Sequence, residues 1–167
     1  MNPNDIARSV LRWLIYVLLH LFVARHLVLF NYSFCFIYVG AILFLPVEIN
    51  LTALLFIGFV TGVTIDSFDN TLGLHAVATV LIAYLRPIII RYQLGQKLTE
   101  GRLQLSIREL GLPAFLSYVI LLISIHHIVL FLVEAGSISL LPYTFLKIMC
   151  SVLFTTVSVL LAQLLSR

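Results

Sequence analysis

The amino-acid sequence predicts an all-α polytopic membrane protein, a bundle of six helices, and three observations carry that expectation. First, 62% of the 167 residues are hydrophobic and 10% are charged, with a mean hydropathy of +1.13. Too few polar side chains remain to cover a core in water. Second, the apolar stretches run on without the alternation that a transmembrane barrel needs, which leaves helices as the way to satisfy the backbone in hydrocarbon. Third, the breaks between stretches carry helix-start residues and basic charge, as the ends of spans do.

The breaks fall at 25–31, 46–50, 66–70, 91–109 and 134–139, leaving segments at roughly 9–24, 32–45, 51–65, 71–90, 110–133 and 140–165. The first segment follows Arg8 and Arg12 and has no small-residue cleavage site behind it, so it reads as a retained helix. Trp13 and Tyr16 within it, like Tyr84 and Tyr92 in the fourth, read as interfacial anchors. The second segment is short for the ~20 residues of a perpendicular span. Fusing it to the third would place Pro46, Glu48 and Asn50 inside one helix, so the two stay separate. Asn31, Asn50 and Asn70 each precede an apolar run as N-caps do, Ser106 with Glu109 forms a capping-box pattern before the fifth, and Pro142 suits the first turn of the sixth.

Charge sets the expected orientation. With six spans and an inner N-terminus, Arg8, Arg12, Arg86, Arg91, Lys97, Arg102, Arg108 and Arg167 share the cytoplasmic side, and only Arg25 and Lys147 fall outward. The net charge of +3 is small, so these residues read as topology signals rather than a nucleic-acid footprint. In the 91–109 linker Leu103, Leu105 and Ile107 alternate, which reads equally as strand-like or interfacial. With no internal repeat, residues 1–167 form one transmembrane domain.

The most distinctive stretch joins the third and fourth segments, GFVTGVTIDSFDNTLGLH over residues 58–75. Gly58 and Gly62 lie on one helix face, where the lack of side chains lets a second backbone approach. Asp66 sits at the C-terminal end of that helix, against the sign of the helix dipole, which calls for a partner. His20, His26, His75, His126 and His127 gather toward the outer side, near Asp66, Asp69 and Glu134. No H-x-x-x-H pair occurs, and the adjacent His126 and His127 point about 100° apart on a helix, so they read as packing or interfacial residues rather than metal ligands. Thr144, Lys147, Ser151, Thr155 and Ser158 form a polar stripe that must turn from lipid, either bonding its own helix carbonyls within the bundle or facing a partner or cavity. Cys35 and Cys150 lie inside apolar runs and read as small hydrophobes. Neither a G-x-S-x-G elbow, nor a Walker A motif, nor a G-x-G-x-x-G fingerprint is present, so no enzymatic activity, cofactor or metal is expected.

A helix ending in G-x-x-x-G-x-x-x-D, followed by a short loop and G-L-H opening the next helix, resembles the rod shape-determining protein MreD family, with Gly58, Gly62, Asp66, Gly73, Leu74 and His75 as the matching positions. The resemblance implies a non-enzymatic scaffold of the bacterial cell-wall elongation complex in the inner membrane, with both termini cytoplasmic. Its implied partners are an MreC-like bitopic protein, the MreB filament, and RodA with its transpeptidase. It assigns the six motif residues to partner binding or helix packing. It also implies a fold like the substrate-binding subunits of energy-coupling-factor transporters, which makes a substrate- or metal-binding transporter subunit the alternative function. Those subunits carry alanine-rich A-x-x-x-A motifs on the first helix, whereas this helix offers only Ala7 and Ala24.

Overall fold

A computed structural model describes residues 3–98, 104–136 and 140–165. Among the described residues five helices are long and apolar enough to cross a membrane, as expected of an all-α multi-pass protein: α1 (Pro3–Phe22), α3 (Leu51–Asp69), α4 (Leu74–Leu98), α6 (Leu112–Ala135) and α7 (Leu141–Leu165). Asn50 caps α3 by accepting from the Ala53 N–H at 2.7 Å. Ser106 caps the short α5 (Ile107–Leu110), and Gly111, at φ +76°, turns the chain from there into α6. The linker alternation resolves into α5 at Ile107 and a buried Leu105. Arg102, Leu103 and Arg167 lie outside the described residues, as does the side chain of Lys97.

The second segment departs from the expected helix over 32–45. Strands β1 (Val28–Leu29) and β2 (Ser33–Phe34) pair antiparallel, Val28 with Phe34 and Leu29 with Ser33, through a turn in which Phe30 and Asn31 take positive φ. Asn31 is therefore a turn residue, not a helix cap. Only α2 (Val39–Leu43) is helical beyond it, and every residue from Cys35 to Leu45 is buried. Non-helical backbone at membrane depth is tolerated only where protein groups satisfy it.

Those groups come from α7. The Ser151 hydroxyl accepts from the Phe34 N–H at 2.9 Å and donates to the Tyr32 carbonyl at 3.3 Å. One turn on, the Thr155 hydroxyl accepts from the Phe36 N–H at 3.0 Å and donates to the Phe34 carbonyl at 3.3 Å. Ser33 donates to the Cys150 carbonyl at 3.0 Å, and the Cys35 thiol lies 3.3 Å from the Ser158 hydroxyl. The hydroxyl stripe thus faces the bundle interior and serves as a polar edge for an extended neighbour, with Ser158 alone of these three also bonding its own helix, at the Phe154 carbonyl.

The buried segment runs from the C-terminal end of α1 back to its N-terminal end. Phe34 lies beside His20, Arg25 and Asp69, whereas Leu45 and Pro46 lie beside Asp5, Arg8 and Arg12. Alongside it, α4 and α7 run in the same direction and α6 runs the opposite way: Phe131, His126 and Tyr118 of α6 meet Phe34, Tyr38 and Leu43 in turn. The first and last helices therefore begin and end at one end of the bundle.

At that end Arg86 of α4, 1% exposed, fills the gap left by the irregular chain. Its Nε donates to the Leu43 carbonyl at 3.3 Å and to the Tyr118 hydroxyl at 3.2 Å, and its Nη2 donates to the Leu45 carbonyl. Arg86 is thus not a solvated topology signal. It caps α2 from a neighbouring helix, satisfying carbonyls that have no continuing turn to bond. Trp13 and Tyr16, expected as interfacial anchors, turn toward neighbouring elements of the bundle, Trp13 half-buried and Tyr16 buried. Trp13 Nε1 donates to the Thr61 hydroxyl at 2.8 Å, and the buried Tyr16 ring lies where a side chain on Gly40 would otherwise project. Tyr84 and Tyr92 are exposed.

Candidate functional site

The six motif residues assemble one helix–loop–helix unit. A Cβ placed on Gly62 would lie 2.3 Å from the Ala76 Cα and 2.6 Å from its N, and one on Gly58 would lie 3.1 Å from the Ala83 Cβ. The pair therefore forms the seam between α3 and α4, as small-xxx-small spacing allows. Gly73 holds φ +83° in the connecting loop, a left-handed conformation suited to glycine, and Leu74 opens α4.

Asp66 has its partner in the same chain. Its carboxylate accepts from the His75 N–H at 3.0 Å, from the Ala76 N–H at 2.9 Å and from the Thr71 hydroxyl at 2.5 Å. Its backbone carbonyl accepts from the N–H groups of Asn70 and Thr71, closing α3. One residue thus ends one helix and begins the next. The negative charge that is unfavourable at the end of α3 faces the positive end of the α4 dipole. Asn70, expected to cap α4, instead terminates α3 at φ +56°.

This geometry predicts the effect of Asp66→Asn. The amide keeps one acceptor oxygen but turns an NH2 toward one of the two α4 N–H groups, setting donor against donor. Loss of the cap and its charge is expected to cost about 2 kcal/mol. Thermal unfolding in detergent should show a clearly lowered midpoint, and an unchanged midpoint would mean that Asp66 does not hold α4.

Beyond the cap, four of the five histidines, His20, His75, His126 and His127, are buried, and His26 is exposed. The Tyr38 hydroxyl lies 2.7 Å from His75 Nδ1 and 2.7 Å from His126 Nε2. A single phenolic proton can be donated to only one of them, so the other ring must donate to Tyr38. His127 points the other way, with Nδ1 2.8 Å from the Ile123 carbonyl and Nε2 3.1 Å from the Thr155 hydroxyl. The two adjacent imidazoles still touch edge to face, centroids 5.4 Å apart, and both pack against Phe36, whose ring centroid lies 6.1 Å from His126 and 5.3 Å from His127.

Above this layer lies a cavity of about 300 Å³ at the end of the bundle where α1 and α3 finish. Arg25 and Asp69 form an ion pair on one side, Nε to Oδ1 at 3.4 Å, and Lys147 and Glu134 form another, Nζ to Oε2 at 2.7 Å. Lys147 Nζ also sits 4.7 Å and 4.4 Å from the ring centroids of Phe34 and Phe131, within cation–π range. His20 is fully buried against the cavity, and its Nε2 stands 3.7 Å from Asp69 Oδ2, with His75 Nε2 3.9 Å from the same oxygen. No trio of histidine, cysteine or carboxylate among the described residues is arranged to hold a metal ion.

Sequence patterns bring His75 and Asp66 to attention but pass over Tyr38 and Phe36, which sit at the centre of the network. Their only sequence signal is an aromatic side chain inside an apolar run, which is also what ordinary packing aromatics present. Compared with protein-family models, with curated proteins and with solved structures, the chain has no match.

Proposed function

We propose that this chain is a non-enzymatic membrane scaffold of the MreD type, which holds an MreC-like bitopic partner and helps to position the cell-wall elongation complex. The supporting observation is that Gly58, Gly62, Asp66, Gly73, Leu74 and His75 belong to one continuous unit, in which seam, cap and loop depend on one another. A chance coincidence of letters carries no such requirement. Because the unit packs inward, its motif residues act on assembly by fixing the α3–α4 pair, and the partner meets other faces of the bundle.

The alternative, a substrate-binding subunit of an energy-coupling-factor type transporter, draws its support from the polar cavity where α1 and α3 finish. Affinity purification of the native protein in mild detergent separates the two. Recovery of an MreC-like cell-wall scaffold is expected, whereas recovery of an ATPase with its coupling subunit would replace the scaffold reading by the transporter one.

In this proposal both termini are cytoplasmic, with the buried 35–45 segment supplying the sixth crossing. Reporter fusions after Arg102 and Arg167 should read cytoplasmic, and fusions after Asn70 and Gly136 should read on the opposite side. A cytoplasmic signal at Asn70 together with Arg102 would sink this topology.

A further inference from the structure

We infer that the cavity where α1 and α3 finish is a binding site for a small aromatic zwitterion of amino-acid size. The inference does not depend on the scaffold proposal, since a scaffold and a transporter subunit could each carry such a site.

The first support is an unmet requirement. His20 is 0% exposed, and neither ring nitrogen has a hydrogen-bond partner among the described residues. A buried imidazole presents one donor and one acceptor, and leaving both unmade is costly. Its Nε2 and that of His75 stand 3.7 Å and 3.9 Å from one oxygen of Asp69, too far for direct hydrogen bonds and close enough for a single polar atom to bridge.

The second support is charge. The two ion pairs, Arg25 with Asp69 and Lys147 with Glu134, bring the rim to a formal sum of zero. A ligand of net charge would leave the filled cavity with that charge unbalanced, whereas a zwitterion offers a group of each sign to the two pairs without changing the sum. Between them Phe34, Phe36 and Phe131 form an apolar, aromatic wall suited to the edge or face of a planar ring. The volume of about 300 Å³ falls at the small end of ligand cavities and accommodates one aromatic amino acid.

The test uses the detergent-purified full chain, with L-tryptophan, L-tyrosine and L-phenylalanine as probes in isothermal titration, and with tryptamine and indole-3-propionate as single-charge controls. At least one amino acid should bind saturably near one per chain. The cationic and anionic indoles should bind at least about tenfold more weakly, the scale set by one lost charge-assisted hydrogen bond. His20→Phe keeps the ring but removes its polar atoms, so affinity should fall about tenfold while the unliganded protein unfolds at an equal or higher temperature. Glu134→Gln, at a partly exposed rim position, leaves the rim positive and should shift preference toward indole-3-propionate. The assignment is overturned if none of the three amino acids binds saturably. It is also overturned if all charge types bind alike, or if His20→Phe leaves affinity intact. Failure here leaves the partner-recovery experiment unaffected, so the two proposals stand or fall separately.

Discussion

Gly62→Ala is expected to destabilise the protein far more than Gly58→Ala, although both add one methyl group to the same helix face. At Gly62 the new carbon would meet the Ala76 Cα at 2.3 Å, the Ala76 N at 2.6 Å and the His75 carbonyl oxygen at 2.8 Å, all of them backbone atoms that no side-chain rotation can move. The first turn of α4 must then retreat, and with it the N–H groups of His75 and Ala76 that Asp66 holds at 3.0 Å and 2.9 Å. Overpacking at the top of its usual range, added to loss of the cap, amounts to about 3–5 kcal/mol. At Gly58 the added carbon would lie 3.1 Å from the Ala83 Cβ and 3.4 Å from the Thr79 carbonyl oxygen, which a shift of a few tenths of an ångström relieves at about 1 kcal/mol or less. Fluorescence-detected size exclusion should show Gly62→Ala reduced in yield or aggregated and Gly58→Ala monodisperse near the parent level. Equal behaviour of the two variants would mean that α3 and α4 do not meet at the Gly62–Ala76 crossing.

The same local detail marks where sequence patterns stop being informative. The long helices are legible because a continuous apolar run, bounded by a cap such as Asn50 or Ser106, is enough to specify a membrane-spanning helix. Asp66 is legible as a residue in need of a partner, because its position opposes the dipole of its own helix. Which group answers it is not, since Asn70 offers the same chemistry nearer to α4 and takes the left-handed turn instead. The segment from Cys35 to Leu45 is the clearest departure. Its composition suits a helix and a buried extended chain equally, and the choice rests on Ser151 and Thr155, more than a hundred residues away, which supply the hydrogen bonds a helix would have made internally. The hydroxyl periodicity on α7 does signal an inward-facing stripe, but it does not say that the stripe's partner is backbone. His126 and His127, expected near the outer surface by counting residues along a span, are fully buried, with Tyr38 at Nε2 of the first and Thr155 at Nε2 of the second.

Arg86→Met is the substitution expected to separate this irregular segment from the helices around it. Methionine nearly matches the apolar stem of arginine, so the change removes hydrogen-bond donors more than volume. The Leu43 carbonyl keeps the Tyr118 hydroxyl at 2.9 Å, but the Leu45 carbonyl loses its guanidinium donor and the weaker contact to the Pro46 carbonyl at 3.5 Å goes with it. Each buried acceptor left unpaired costs roughly 1–3 kcal/mol, and the Pro46 contact is the weaker of the two, so a total of about 2–4 kcal/mol is expected. Arg86→Lys should fall between parent and Arg86→Met, because one ammonium group cannot span the Leu43 and Leu45 carbonyls as the planar guanidinium does. Tyr118→Phe should cost only about 1 kcal/mol, since Arg86 Nε still reaches the Leu43 carbonyl at 3.3 Å. The two residues share that carbonyl, so the double variant Arg86→Met with Tyr118→Phe, which strands it completely, should be worse than the sum of the single losses. Unfolding midpoints of the four variants in one detergent measure all of these differences. Strict additivity would show that Arg86 and Tyr118 stabilise the bundle independently and that the end of α2 is held by something other than their shared acceptor.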